Sequence, residues 1–125
     1  MTSPEPDASS LPSLAREVSR FVAEREWEKY HSPKNLAMSV AIEAAELMEI
    51  FQWLDPGEAD RELLDPATRT RVEEESADVL AYLLSLANRT GIDLGRALLK
   101  KMEANQLKYP ADRFRGKFRD PDTKS

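Results

Sequence analysis

Eight prolines punctuate this chain of 125 residues, and the stretches they avoid constrain the fold more than the positions they occupy. Pro4, Pro6 and Pro12 crowd the beginning; Pro33, Pro56, Pro66, Pro110 and Pro121 follow. None falls within 34–55 or 67–109. Inside a helix a proline removes a backbone hydrogen bond and clashes with the preceding turn, so these two gaps can hold long helices. The pattern predicts four helices. The first covers about 13–30, with Leu14, Val18, Phe21 and Val22 spaced for one face. The second, about 33–54, starts from a Ser32 cap with Pro33 at the first helical position and stops before Asp55-Pro56-Gly57. The third, about 66–89, starts from Asp65-Pro66 and ends near Gly91, and the fourth, about 94–108, lies between Asp93 and Pro110. No segment alternates as a strand would. The expected fold is therefore all-α, a small four-helix bundle over 13–110. Residues 1–12 are expected as a disordered leader. Residues 111–125, with Arg113, Arg115, Lys117 and Arg119, are expected as a basic, mobile tail.

Composition narrows the partners. Lys and Arg total 18 against 23 Asp and Glu, a formal net charge of −5. An excess of acid argues against binding nucleic-acid polymers or anionic membranes, which need a basic surface. The absence of cysteine excludes disulfides, thiolate metal sites and thiol nucleophiles, and the single His31 excludes any site built on two imidazoles. No apolar run approaches the roughly 18–20 residues of a membrane span, and the N-terminus lacks the pattern of a signal peptide. The expectation is a cytoplasmic domain. A four-helix core from so short a chain is modest, which makes self-association plausible.

Carboxylates stand where a core should be. At about 100° per residue, Leu36, Val40, Leu47, Ile50, Phe51 and Leu54 share one stripe of the second helix, and Glu43 falls in its middle. Glu46 lies at the edge, beside Ile42, Ile50 and Trp53. A carboxylate among such neighbours costs several kcal/mol, or protonates, unless a cation compensates. Glu75 and Asp78 on the third helix repeat the i, i+3 spacing, flanking Val72, Val79, Leu83 and Leu86, with Tyr82 close by. One such pair is ordinarily a solvated helix face. Two pairs on neighbouring helices can bring four carboxylates to one point, and oxygen ligands without sulfur or imidazole suit Mg²⁺ or Mn²⁺. On the fourth helix Leu94, Leu98, Lys101 and Asn105 share a stripe, which turns an ammonium and an amide toward a position suited to phosphate.

Three strings carry a resemblance: Phe21-Val-Ala-Glu-Arg-Glu-Trp27, His31-Ser-Pro-Lys-Asn35-Leu36, and Glu43-Ala-Ala-Glu46-Leu-Met-Glu-Ile-Phe-Gln-Trp53. With Glu74-Glu75-Ser-Ala-Asp78-Val79-Leu-Ala-Tyr82-Leu83, Lys101-Met-Glu-Ala-Asn105 and Lys108-Tyr109-Pro110, they run in order across about 14–110. The chain resembles the all-α nucleoside triphosphate pyrophosphatases of the MazG-like superfamily and is most similar to the dCTP pyrophosphatase branch. The resemblance implies Mg²⁺-dependent hydrolysis of dCTP or a modified dCTP between the α and β phosphates, in a homodimer or homotetramer. By the same resemblance Glu43, Glu46, Glu75 and Asp78 hold metal, and Glu46 accepts a proton from the attacking water. Lys101 contacts phosphate, Asn105 faces the nucleotide, and Trp27, Trp53 and Tyr82 wall the base and sugar. His31, Asn35 and Tyr109 complete the expected substrate contacts. One departure is Val18, where animal members of the branch carry a histidine near the base; it bears on base selectivity. The same chemistry on dUTP or a broader set of triphosphates, and a non-enzymatic dimerisation or nucleotide-sensing module, are the competing readings.

Overall fold

The structure is a computed structural model that describes residues 7–117. They fall into two compact units, one ending at Ile92 and the other beginning at Asp93. The first holds α1 (Leu11–Glu24), a 3-10 turn (Glu28–Tyr30), α2 (Pro33–Glu49), α3 (Pro56–Glu62) and α4 (Pro66–Thr90). The second holds α5 (Leu94–Lys108) and α6 (Ala111–Phe114). No strand occurs among the described residues, and no described helix is long and apolar enough to cross a membrane.

Short polar residues set the helix starts. The side chains of Ser10, Ser32, Asp55, Asp65 and Asp93 each accept a backbone N–H of the following first turn. This satisfies donors that have no partner inside the helix. Gly91 closes α4 at φ 73°, a left-handed conformation that costs a residue without Cβ little.

In the first unit α1 and α2 both pack along α4, which makes α4 the central helix. Leu36, Leu84, Ala87 and Val22 are the buried apolar side chains, with Leu36 at 1 % exposure. Asn88 Nδ2 donates to the Ala15 carbonyl at 2.9 Å and pins α4 to α1.

Where four helices were expected, the described residues form six, and three differences have local causes. The first helix stops at Glu24 because Glu26 turns left-handed (φ 54°), and the chain re-forms as the 3-10 turn. That break lets Trp27 meet the Phe21 ring edge-on at 5.8 Å, while the Arg25 guanidinium lies 3.7 Å over Phe21. The second helix ends at Glu49, and Ile50, Phe51 and Leu54 continue with tighter i→i−3 bonds. Asp55-Pro56 is a helix start as well as a stop, and it opens α3, a helix the sequence reading left as loop. Helix α1 also begins at Leu11, inside the expected leader, and α6 falls in the expected tail; residues 1–6 and 118–125 lie outside the described residues.

Candidate metal centre

Of the four carboxylates expected at one point, three meet: Glu43 of α2 with Glu75 and Asp78 of α4. One carboxylate oxygen from each lies within 4.8 Å of the other two. Glu43 and Glu75 are half-buried and Asp78 is exposed. The Oε2 atoms of Glu43 and Glu75 are shut off from solvent and have no hydrogen-bond partner. Among the described residues no Lys or Arg pairs with any of the three. Glu46, one turn along α2 and exposed, lies outside this trio but close enough to act on it.

The electrostatic consequence is large. Burial, then the proximity of Glu46, then the charges of Asp78 and Glu75, push the Glu43 carboxyl up to about 7 from its ordinary 4.5. Glu75 is raised for the same leading reasons, burial first and Glu46 second. Carboxylates that resist ionisation in the absence of a cation become strong ligands once one neutralises them. Two orphaned buried oxygens facing further acidic groups are the donor set of a hard divalent cation, so the residues present fit Mg²⁺ or Mn²⁺.

The other sequence-derived site residues take several places. Tyr82 is half-buried on α4, one turn beyond Asp78 on the same face. Trp27 stands in the α1–α2 connection against Phe21, and Trp53, just past α2, is 87 % exposed. His31 lines a cavity between α1, the 3-10 turn and α4. Asn35 holds that connection: its Nδ2 donates to the Tyr30 carbonyl at 3.2 Å. In the second unit, Lys101 is exposed on α5, and Asn105 is half-buried with its Nδ2 toward Met102 Sδ at 3.8 Å. Tyr109, at the end of α5, meets Phe114 edge-on at 5.2 Å.

Comparison with known proteins gives the family. The MazG-like family model matches residues 38–117. The chain belongs to the MazG-like family. Human dCTP pyrophosphatase 1 is 42% identical over 117 residues, covering 94% of this MazG-like chain and 67% of the human protein. The rat protein of the same name is 41% identical over 114 residues, covering 91% of this chain and 65% of its own length. This chain thus spans about two thirds of the length of those relatives. A pyrophosphatase from Archaeoglobus fulgidus, solved by crystallography, superposes with a TM-score of 0.73 at 46% identity, covering 80% of this chain and 92% of that one. The family match takes in all four acidic residues and the whole of α5. The MazG-like chain also carries features the sequence reading missed: the Arg25–Phe21–Trp27 stack, and Ser85 and Arg89 in the wall of the cavity with His31. Ser85, a polar residue inside the run Leu83-Leu84-Ser85-Leu86, was the available signal for the second.

Proposed function

We propose that this MazG-like chain hydrolyses dCTP or a modified dCTP to the monophosphate and pyrophosphate, as a step that keeps the nucleotide pool clean. The acidic trio with its two unpartnered oxygens is the observation that carries the reading. The names of the human and rat relatives supply the substrate. Glu43, Glu75 and Asp78, with Glu46 beside them, would hold Mg²⁺. When bound, the cation neutralises the triphosphate and makes its phosphorus a better electrophile.

The chain's own residues do the rest. Glu46 is exposed and borders the trio, which suits it to accept the proton of the attacking water. Tyr82, on the same face of α4 as Asp78, lies where the sugar would pass, and Trp27 and Trp53 offer aromatic faces to the nucleoside. His31 and Asn35 act from the α1–α2 connection. By the family resemblance, Lys101, Asn105 and Tyr109 are the candidates to contact phosphate and nucleotide. Without a cation the acidic group repels the triphosphate, so turnover should require the metal absolutely.

The same reading includes self-association. Met38, Ile42, Met48 and Trp53 on and after α2 are 52, 56, 57 and 87 % exposed, an apolar burden that a homodimer or homotetramer would cover. The reading takes the protein as cytoplasmic. The decisive experiment incubates the protein with each nucleoside triphosphate and Mg²⁺ and follows pyrophosphate. Release from dCTP, with the highest kcat/KM among the set, supports the proposal. Orthophosphate as product, or no reaction with any triphosphate, overturns it.

A further inference from the structure

The stretch between α1 and α2 carries two of the candidate nucleotide contacts, Trp27 and His31, at either end of the 3-10 turn Glu28–Tyr30. So short a turn has little hydrogen bonding of its own. The Tyr30 N–H donates to the Trp27 carbonyl at 2.9 Å and the His31 N–H to that of Glu28 at 3.0 Å. Such a piece keeps its shape only where its ends are tied.

The two ends are tied unequally. Toward α1, the Arg25 and Trp27 N–H groups donate to the Val22 carbonyl at 3.3 and 3.1 Å, and the Glu26 N–H to that of Ala23 at 3.0 Å. Arg25 Nη1 adds a bond to the Phe21 carbonyl at 3.0 Å while its guanidinium covers the Phe21 ring. Toward α2, the bond from Asn35 Nδ2 to the Tyr30 carbonyl is the one hydrogen bond between the turn and the helix among the described residues. The Tyr30 residue is otherwise 61 % exposed.

We propose that Asn35 is a positioning residue, whose amide latches the end of the 3-10 turn to α2 and so holds Trp27 and His31 for the nucleotide without touching it. The proposal rests on the reading of Trp27 and His31 as nucleotide contacts.

The residue type agrees with this role. Asn35 is the third residue of α2, after the Ser32 cap and Pro33, and its own N–H donates to Ser32 Oγ at 3.1 Å. The first turn of a helix favours acidic side chains, and Glu or Gln at the third position ordinarily reaches back to the N–H of the cap. Asn35 departs from both habits. It is neutral, and its amide passes over the cap to a carbonyl, which needs a donor that no carboxylate can supply. Aspartate at position 35 would suit the helix and release the latch, which separates the two roles. The acidic trio is out of reach of such a change, since Glu43 lies about 12 Å farther along α2.

The test compares the parent with Asn35→Ala, Asn35→Asp and Asn35→Gln, by amide hydrogen exchange without nucleotide and by dCTP kinetics with Mg²⁺. One hydrogen bond is worth about fivefold in a local opening equilibrium. Exchange of the Tyr30 and His31 amides should quicken about fivefold in Asn35→Ala and about tenfold in Asn35→Asp, while α4 keeps the parent's rates. KM for dCTP should rise about two- to fivefold in Asn35→Ala and further in Asn35→Asp. The kcat, and the Mg²⁺ concentration giving half the activity, should stay within about twofold. Asn35→Gln keeps the donor and should fall between the parent and Asn35→Ala. Asn35→Asp should melt no lower than Asn35→Ala, so a general loss of stability cannot produce this order. Unchanged exchange at Tyr30 and His31 in both Asn35→Ala and Asn35→Asp overturns the proposal; with a raised KM it makes Asn35 a direct nucleotide contact. Faster exchange with KM at the parent's value overturns it as well, as does a loss of kcat larger than the rise in KM. If the parent hydrolyses no triphosphate, the hydrolase reading falls, while faster exchange in the variants still upholds the latch.

Discussion

Replacing Glu43 by glutamine removes one charge from the crowded trio while keeping the side chain's shape. The structure fixes the sign of the effect. With its carboxyl raised from 4.5 to about 7, Glu43 holds a proton in the folded chain that it has already released in the unfolded one. Between those two values the folded state binds more protons, so the stability of the metal-free parent falls as pH rises through that window. Above about 7 the loss is complete. At about 1.4 kcal/mol per unit the ceiling is about 3 kcal/mol. Glu43 is only half-buried, and solvent screening lowers this to about 1–2 kcal/mol. Glu75, raised in the same direction, adds to the slope. For a domain of this size the difference is about 5 °C in melting temperature. The assay is a thermal melt of parent and Glu43→Gln, freed of metal, at pH 5 and pH 8. The two should coincide at pH 5, and the variant should melt about 5 °C higher at pH 8. Mg²⁺ at about a hundred times its Kd should then stabilise the parent by about 2.7 kcal/mol and the variant by less. A variant no more stable than the parent at pH 8 without metal, or a parent whose melt is flat between the two pH values, refutes the reasoning.

Three further substitutions probe the frame. Leu36→Ala empties the most buried side chain and should cost about 3 kcal/mol in urea unfolding; a loss below about 1 kcal/mol would mean that α2 does not pack there as described. Gly91→Ala meets no atom within 4 Å, so only the left-handed backbone opposes it, and it should lower stability by about 1 kcal/mol. Met38→Glu with Met48→Glu should shift the sedimentation of the protein to a smaller species with helicity unchanged; an unaltered sedimentation coefficient would remove α2 from the self-association surface.

What the sequence made legible follows from how local the determinants are. Helix α5 occupies the expected 94–108 because an Asp93 cap and a Pro110 stop both act within one turn. Helix α4 differs by a single residue for the same reason, with Gly91 as its end. The end of α1 was not legible because the break at Glu26 carries no Gly or Pro to signal it; it goes with the contact of Trp27 against Phe21. Helix α3 was hidden by reading Asp55-Pro56 in one direction only. The acidic centre was legible in part: Glu43 interrupts an apolar stripe and the i, i+3 spacing sets Glu75 and Asp78 on one side of α4, but only the packing of α2 on α4 decides which meet, and Glu46 stays outside the trio. The cavity was not, since α1, the connection and α4 each contribute isolated residues to it, and no period within one segment reveals that convergence.

The acidic centre and the cavity nevertheless share one physical irregularity. Around its last turns α4 is enclosed on several sides: Leu84, Ser85 and Ala87 point in different directions and are all buried. Ser85 interrupts the apolar run of α4 as Glu43 interrupts the stripe of α2, and the Oε2 atoms of Glu43 and Glu75 find no partner among the described residues. Natural cores satisfy such groups or exclude them. Two orphaned oxygens, on Glu43 of α2 and Glu75 of α4, therefore describe one cation site more economically than two unrelated defects.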